Sequence, residues 1–325
     1  MTSRRVSCIV LGLVACPLAF AYGAHAQNFP ERPIRLIVAH PPGGSTDLLA
    51  RLVGPRLSEV WQQPVIIDNR PGAAGNIGTD MAAKAPPDGY TVVGSSMSTA
   101  ISMSYYRTLP YNVLTDMQGV SLFSTQPNAL IAGASLPARS IQDVVTLAKA
   151  KPGQLGYGTP GNGSSQHLMG ELLKSSLKID LIHVPYKGTG QAMNDLIGGQ
   201  IVLMFSPLVS AIPHMKAGRV RALAVTSPKR AAAVPDVPTM IESGVPNYDV
   251  VSWYGLHTAI KSPRPAVDKM NREVNRILTL PEVNERLVGL GMDPAPISPG
   301  QFNALVKSEV ARWAKVVKES GMQQE

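Results

Sequence analysis

Short apolar runs alternate with helical patterns along most of the chain, and this alternation restricts the fold more than any other feature of the sequence. The runs that read as strands are IRLIVAH (34–40), VIIDN (65–69), TVVGSS (91–96), NALIAGA (128–134), LIHVPY (181–186), IVLMFSP (201–207) and VRALAVTS (220–227). Strands separated by helices form parallel sheets whose faces those helices cover. With 325 residues, the chain is long enough for two such units. The sequence therefore predicts an α/β fold of two domains.

Two glycine-rich turns occur at comparable places in this pattern. The first, PPGGSTD (41–47), lies between a predicted strand and a predicted helix that begins at Asp47. The second, TPGNGSS (159–165), precedes a helix that Ser164 or Ser165 is expected to cap. Because the first turn of a helix leaves N–H groups without partners and carries partial positive charge, it can bind a carboxylate without Arg or Lys. Two such turns predict a paired anion site at the carboxyl ends of the strands.

Several helix ends can be read from local residues. Ser140 with Asp143 forms a capping-box pattern, and Ser298 with Gln301 forms another at the start of the last helix. Pro55 falls inside the helix that follows the first turn. Because proline lacks an N–H group and clashes with the preceding turn, we expect a kink or a break in the helix there.

The N-terminus has the features of a cleavable secretory signal. Arg4 and Arg5 precede an apolar stretch over 6–22, and the tripeptide Ala-His-Ala at 24–26 matches a signal-peptidase site. We therefore expect residues 1–26 to be removed and the mature protein to be periplasmic. No later apolar run reaches the length that a membrane helix requires.

Both cysteines of the chain, Cys8 and Cys16, fall inside this predicted signal. The mature chain would then have no thiol, which excludes thiol catalysis and disulfides. Cys16 ends the segment LVAC (13–16), which resembles a lipobox, so a lipid anchor through Cys16 is an alternative to cleavage after residue 26.

The charge of the chain favours small anions over nucleic acid. Removal of Arg4 and Arg5 with the signal would lower the formal net charge from +8 to +6, and this excess favours anionic ligands. Nucleic-acid binding needs clustered basic residues with interleaved aromatic residues, whereas only short groups such as Lys229-Arg230 occur. The six histidines show no metal-binding spacing, so we expect no metal site.

Two enzyme patterns are present only in part. The segment GYGTPG (156–161) spells a dinucleotide fingerprint with Asp180 downstream, but Pro160 interrupts the turn and an exported protein has no nicotinamide pool. The segment GSSQH (163–167) lacks the closing glycine of a serine-hydrolase elbow. We therefore expect neither catalytic residues nor a cofactor, and no enzymatic activity.

Six segments of the chain, taken in order, resemble one family, the periplasmic substrate-binding proteins of tripartite tricarboxylate transporters, often called Bug receptors. The segments are FPERPIRLIVAHPPGGSTDLLAR (29–51), DNRPGAAGNIGTDMAAKAPPDGYT (68–91), YGTPGNGSSQHLMGELL (157–173), HVPYKGTGQAMNDLIGGQI (183–201), AGRVRALAVTSPKR (217–230) and VPTMIESGVP (237–246). The ordered set is specific, although any one segment could arise by chance. The resemblance covers most of the mature chain.

This resemblance implies a type II periplasmic binding protein fold, in which two Rossmann-like lobes are joined by a hinge with the ligand cleft between them. Lobe 1 would comprise 27–126 and 250–325, and lobe 2 would comprise 127–249. The implied ligand is a small carboxylate, aliphatic or aromatic, that a monomeric receptor delivers to the integral-membrane subunits of the transporter. Carried over position by position, the ligand-binding residues are Gly43, Gly44, Ser45, Thr46 and Asp47 in the first turn and Gly161, Asn162, Gly163, Ser164 and Ser165 in the second.

Other side chains are weaker candidates for the cleft. Ser96 follows the third strand-like run, and the far end of the pocket could be formed by Phe205, Ser206 and Tyr254, with Trp253 beside it. Each could equally be an ordinary loop or core residue. Asp47 could orient the first turn or bridge to the ligand through water, could cap its helix and pair with the helix dipole, or could do both. His167 and His183 are expected to be packing residues.

Two features of the ligand and function stay open at the level of sequence. The segment IVLMFS (201–206) has no Asp where many relatives have one, so an ammonium group on the ligand would lack an anionic partner. We therefore expect the ligand not to be an amino acid. A sensory role, in which the same two-lobed protein docks to a signalling protein instead of a transporter, is the alternative to transport.

Overall fold

The computed structural model describes residues 29–322, and the predicted signal with Cys16 lies outside them. The strands are β1 Ile34–Val38, β2 Val65–Asn69, β3 Thr91–Ser96, β4 Met117–Gly133, β5 Gly156–Thr159, β6 Ile182–Pro185, β7 Leu203–Pro207, β8 Val220–Val225, β9 Val251–Ala259 and β10 Asp293–Pro294. The helices are α1 Ser45–Trp61, α2 Asn76–Ala83, α3 Met97–Tyr105, α4 Ile141–Ala150, α5 Ser165–Leu177, α6 Thr189–Ile197, α7 Leu208–Lys216, α8 Arg264–Leu278, α9 Pro281–Gly289 and α10 Pro299–Glu319. None of the helices in this part of the chain is long and apolar enough to span a membrane.

The strands form two connected sheets. In the first sheet the order is β2, β1, β3, β9, β4 and β10, with β1 parallel to β2 and β3 and the later pairs antiparallel. In the second sheet the order is β8, β4, β7, β5 and β6, with β5 parallel to β6 and β7. Helices cover both sheets, so the predicted α/β class with two lobes is confirmed.

Strand β4 belongs to both sheets. It pairs with β9 as far as Pro127 opposite Val251, and from Asn128 onward it pairs with β7 and β8. The predicted run at 128–134 is therefore only the second half of a longer strand. The first half escaped prediction because its polar residues are buried by partners distant in sequence, as when Ser121 Oγ donates to Asn275 Oδ1 at 2.8 Å.

Most of the predicted helix ends are confirmed. Both capping boxes are present, at Ser140 with Asp143 and at Ser298 with Gln301. Of the kink or break expected at Pro55, the break does not occur, because α1 continues through this residue as a single helix. Pro55 is exposed, so water can hydrate the carbonyl that loses its helical partner. Helix α1 also begins two residues before the predicted start at Asp47.

Candidate ligand-binding site

The first glycine turn connects β1 to α1 at the carboxyl end of the first sheet. Gly43 has a φ of +83°, which favours glycine, and Gly44 occupies the N-cap position with no side-chain hydrogen bond. Ser45, Thr46 and Asp47 then form the first helical turn and are buried. The N–H groups of this turn have no partners within the helix and point along its axis. The turn therefore provides the backbone geometry that was predicted for an anion.

Asp47 organises this turn from within the protein. Its Oδ2 accepts from Gly43 N at 2.9 Å and from Arg51 Nε at 3.0 Å, and its Oδ1 accepts from Asn69 Nδ2 at 2.9 Å. Burial raises the pKa of this carboxyl, but the hydrogen bonds from Arg51, Gly43 and Asn69 outweigh burial and lower it. Both oxygens are thus committed to protein donors, which supports the structural role of Asp47.

His40 is the last residue of the run IRLIVAH, and its ring lies between two hydroxyl groups near the first turn. Its Nδ1 is 3.4 Å from Thr46 Oγ1, and its Nε2 is 3.4 Å from Ser96 Oγ. Burial lowers the pKa of His40 to about 4, so the ring is neutral at pH 7. Ser96 thereby lies beside the first turn, which is one of the two alternatives that the sequence left open, whereas His40 was not anticipated as its neighbour.

The second glycine turn connects β5 to α5 and holds itself by local hydrogen bonds. Gly161 and Gly163 have φ values of +140° and +68°. Ser164 Oγ donates to Gly161 O at 2.7 Å and accepts from His167 N at 3.2 Å, which makes Ser164 the N-cap that the sequence predicted. His167 Nδ1 accepts from Gly163 N at 3.3 Å. Helix α5 therefore starts at Ser165 with its N–H groups at the end of the turn.

Buried side-chain hydrogen bonds connect each helix start to one short segment of β4, residues 126–128. Ser45 Oγ, at the start of α1, donates to Gln126 Oε1 at 2.8 Å. Ser252 Oγ accepts from Asn128 Nδ2 at 2.8 Å. The first bond links α1 to β4, and the second links β4 to the adjacent strand β9.

A second set of hydrogen bonds connects Asn128 on β4 to the second turn. Asn128 Oδ1 accepts from Gln166 Nε2 at 2.8 Å, and Gln166 Oε1 accepts from Ser165 Oγ at 3.0 Å. Ser165 is the first residue of α5. The N-termini of α1 and α5 are thus both connected to residues 126–128 of β4.

Direct contacts also bring the lobes together near these turns. Tyr106 OH donates to Asn162 O at 3.5 Å. A Cβ atom on Gly163 would lie 2.9 Å from Tyr105 Cδ1, and one on Gly188 would lie 3.4 Å from Pro41 Cγ. In each of these pairs, one residue belongs to the lobe of the first sheet and the other to the lobe of the second sheet. The two lobes are therefore in contact around the two turns.

The remaining predicted residues divide between this region and the core. Tyr254 is buried on β9, which raises the pKa of its hydroxyl, whereas the nearby hydroxyls of Ser45 and Ser252 lower that pKa. Ser206 is buried on β7, and its Oγ donates to Pro207 O at 3.2 Å. The ring of Phe205 lies 6.5 Å from those of Tyr157 and Tyr248 in the second lobe's core. The structure therefore does not bring Phe205 to the turns.

Trp253 likewise belongs to the core. Its Nε1 donates to Glu309 Oε2 at 3.3 Å, and its ring packs edge-on against Phe302 with centroids 5.6 Å apart. Because successive strand residues point to opposite faces, Trp253 turns away where Tyr254 turns toward the site. Across residues 29–322, no group of three His, Cys, Asp or Glu side chains is placed to hold a metal ion.

Three polar residues of this region were not predicted as part of it: Gln126, Asn128 and Gln166. Two of them lie in a buried strand, where an amide costs free energy unless it is hydrogen-bonded. The pattern QPN at 126–128, immediately before the apolar run ALIAG, was a usable signal of buried polar contacts. Its partners, 81 and 38 residues away, could not be read from the sequence.

The sequence is similar to known receptor proteins. The family model described as tripartite tricarboxylate transporter family receptor matches residues 49–322. Protein BugT of Bordetella pertussis is 35% identical over 314 residues, covering 96% of each chain.

Two solved structures have the same fold. The structure titled R. palustris Rpa4515 with adipate has a TM-score of 0.88 and 36% identity, and covers 91% of this chain and 99% of its own. The periplasmic binding protein BugD has a TM-score of 0.86 and 33% identity, and covers 91% of this chain and 100% of its own.

Proposed function

The chain belongs to the tripartite tricarboxylate transporter receptor family, the Bug receptors, and on this basis we propose that it captures a small carboxylate and delivers it to the membrane subunits of such a transporter. The observation that carries the proposal is that buried hydrogen bonds from Ser45 and, through Gln166, from Ser165 both end on residues 126–128 of β4, beside which two helix N-termini are held. The adipate named with the Rpa4515 structure is a carboxylate, which supports the ligand class.

The chemistry of the two turns suits a carboxylate. Two helix N-termini supply several N–H donors and partial positive charge, and the small residues of both turns allow close approach of the ligand to the backbone. Burial lowers the pKa values of His40 and His167 to about 4, so these neighbours are neutral at pH 7. The anion would therefore be stabilised by oriented dipoles and hydrogen bonds rather than by a basic side chain.

We assign the ligand contacts to the two turns and their immediate neighbours. Ser164 already uses its hydroxyl within its own turn, so its expected contribution is through the backbone. The proposed set is Gly43, Gly44, Ser45, Thr46, Ser96, Gly161, Asn162, Gly163, Ser164, Ser165, Ser206 and Tyr254. Asp47 acts on the ligand by fixing the first turn, and Phe205 acts, if at all, from the core behind the second.

Hinge motion would bring the ligand into the site. We propose lobe 1 at 27–126 and 250–325 and lobe 2 at 127–249, with β4 and β9 carrying the chain between them. Closure around the carboxylate would bury it and create the shape that the membrane subunits bind. The receptor would act as a periplasmic monomer without catalysing a reaction, and neither the family description nor BugT favours the sensory alternative.

The test is a thermal-shift screen of the purified protein against adipate, malate, benzoate, aspartate and the diamide of adipic acid, with hits confirmed by calorimetry. Because a ligand of the native state raises the melting temperature by mass action, a carboxylate at about one hundred times its Kd should raise it by roughly 4 °C. The diamide, which has the length of adipate without its charge, should have no effect. Stabilisation by the diamide alone would overturn the proposal.

A further inference from the structure

Gln126 is the residue of β4 that is hydrogen-bonded to the start of α1. It is fully buried on β4, one residue before Pro127, where that strand leaves its pairing with β9 and enters the second sheet. Its Oε1 accepts from Ser45 Oγ, the first side chain of α1. The same amide group therefore places Nε2 next to the N-terminus of α1.

The Nε2 of Gln126 has no hydrogen-bond partner within residues 29–322. The two other amides in these links have hydrogen bonds on both the oxygen and the nitrogen. Asn128 bonds to Ser252 and Gln166, and Gln166 bonds to Asn128 and Ser165. Leaving a buried amide donor unpaired is unfavourable, and native proteins rarely do so without a reason. In a site built for an anion, an acceptor supplied by the ligand is such a reason.

This inference rests on the proposed function. We propose that Gln126 Nε2 donates a hydrogen bond to the bound carboxylate. The donor thereby favours a ligand group that accepts hydrogen bonds over an ammonium group. The uncharged amide adds a directional donor to the N–H groups of α1 and lies on the strand that connects the lobes. An ammonium group in the same place would bring its own donors against Nε2 and would find no acceptor there. Gln126 thus accounts for a preference for carboxylates without requiring a basic residue.

The first test replaces the amide while keeping the shape of the side chain. Gln126→Met has a similar length, removes the donor, and should weaken adipate or other carboxylate binding at least tenfold by calorimetry. Ser124→Ala is the matched control, because Ser124 is also buried on β4 with an unpartnered hydroxyl but has no bond to either turn. That control should retain wild-type affinity.

A second variant separates donation to the ligand from the support that Gln126 gives to Ser45. Gln126→Glu keeps an oxygen that can accept from Ser45 Oγ but replaces the donor with a titratable carboxyl group. When protonated, this group can donate to the ligand; when ionised, it repels the ligand. Burial beside a bound anion raises the pKa of such a carboxyl, so this variant should bind carboxylates at least tenfold more weakly than the wild type at pH 8.5 and should recover affinity as the pH is lowered.

The outcomes distinguish this proposal from the function on which it rests. If wild-type protein binds carboxylates but Gln126→Met binds them equally well, or Gln126→Glu binds them as tightly as the wild type at pH 8.5, the role of Gln126 is overturned and the proposed function stands. If Ser124→Ala loses as much affinity as Gln126→Met, the effect is a general disturbance of β4 and the role is again overturned. If wild-type protein binds none of the carboxylates tested, both proposals fail. Melting temperatures of the ligand-free variants check that each is folded.

Discussion

The imidazole rings of His167 and His183 stack face to face, with centroids 3.8 Å apart and planes inclined by 11°. The pair lies directly behind the second turn, because His167 Nδ1 accepts from Gly163 N and His183 Nε2 is 2.6 Å from Thr159 Oγ1. Burial lowers the pKa of His167 to about 4 and that of His183 to about 3, with the partner ring adding to the shift of His183. Both rings are therefore neutral at pH 7.

This pair predicts a loss of stability in mild acid. Below a pH of about 6.5 the unfolded chain binds protons on His167 that the folded chain, with its pKa of about 4, does not bind. The free energy of unfolding should therefore fall as the pH decreases from 7 to 5, by about 2 kcal/mol for His167 alone. Urea denaturation at the two pH values measures this loss.

His167→Gln is the control for that measurement, because glutamine does not titrate and can still accept from Gly163 N. The variant should lose less stability between pH 7 and pH 5 than the wild type, by about the amount assigned to His167. His40 and His257 also have pKa values lowered by burial, so some acid sensitivity should remain in the variant. Identical losses in the two proteins would contradict the assignment.

Asp47 offers a test of how the first turn is held. Asp47→Asn replaces one oxygen with a donor that must face Gly43 N, Arg51 or Asn69, all of which donate to Asp47 in the wild type. We expect the free energy of unfolding to fall by about 1–3 kcal/mol, as for other losses of buried charged hydrogen bonds. Asp268→Asn, which breaks an exposed pair with Arg264, should change stability little. Equal effects of the two changes would show that Asp47 is no more important than a surface carboxylate.

Ser165 tests the second turn as a binding surface. Ser165→Leu places a branched side chain at the first position of α5 and should abolish carboxylate binding while leaving a folded protein, as judged by circular dichroism and melting. Ser165→Ala removes only the hydroxyl that donates to Gln166, and should weaken binding modestly because the backbone N–H groups remain. Unchanged affinity of Ser165→Leu by calorimetry would exclude this position from the ligand.

The sequence was most informative where local chemistry determines the structure. The cap at Ser164, the capping boxes at Ser140 and Ser298, and the two glycine turns all depend on residues within a few positions of one another. Their prediction needed no knowledge of the rest of the chain. The α/β class followed from the regular alternation of apolar runs in the same way.

The features that escaped prediction depend on partners far along the chain. The polar side of β4 reads as a loop in isolation, yet Gln126 and Asn128 are buried because Ser45 and Gln166 reach them from other elements. Strand β9 was missed for a related reason, since its buried polar residues are satisfied across the sheet, as when Thr258 Oγ1 donates to Thr91 O. Amides are uncommon in strands, and only tertiary contacts make these positions favourable.

Gly163 lies where the second turn meets the first lobe, so it can test the proposed closure of the cleft. Its φ of +68° favours glycine, and an added Cβ would lie 2.9 Å from the ring of Tyr105 and 3.1 Å from that of Tyr106. Gly163→Ala should therefore impose two separate costs, strain in the turn itself and a clash that is relieved when the lobes separate.

Gly218→Ala isolates the first of these costs. Gly218 has a φ of +66°, nearly that of Gly163, but no atom lies within 4 Å of the position that a Cβ would take. Both variants should lose about 1 kcal/mol of stability from the left-handed backbone. Only Gly163→Ala should also lose carboxylate affinity, by tenfold or more, because the proposed hinge closure would bring its added Cβ against the two tyrosines. Calorimetry on the two variants decides the matter, since equal affinities would show that contact between Gly163 and the tyrosines has no part in binding.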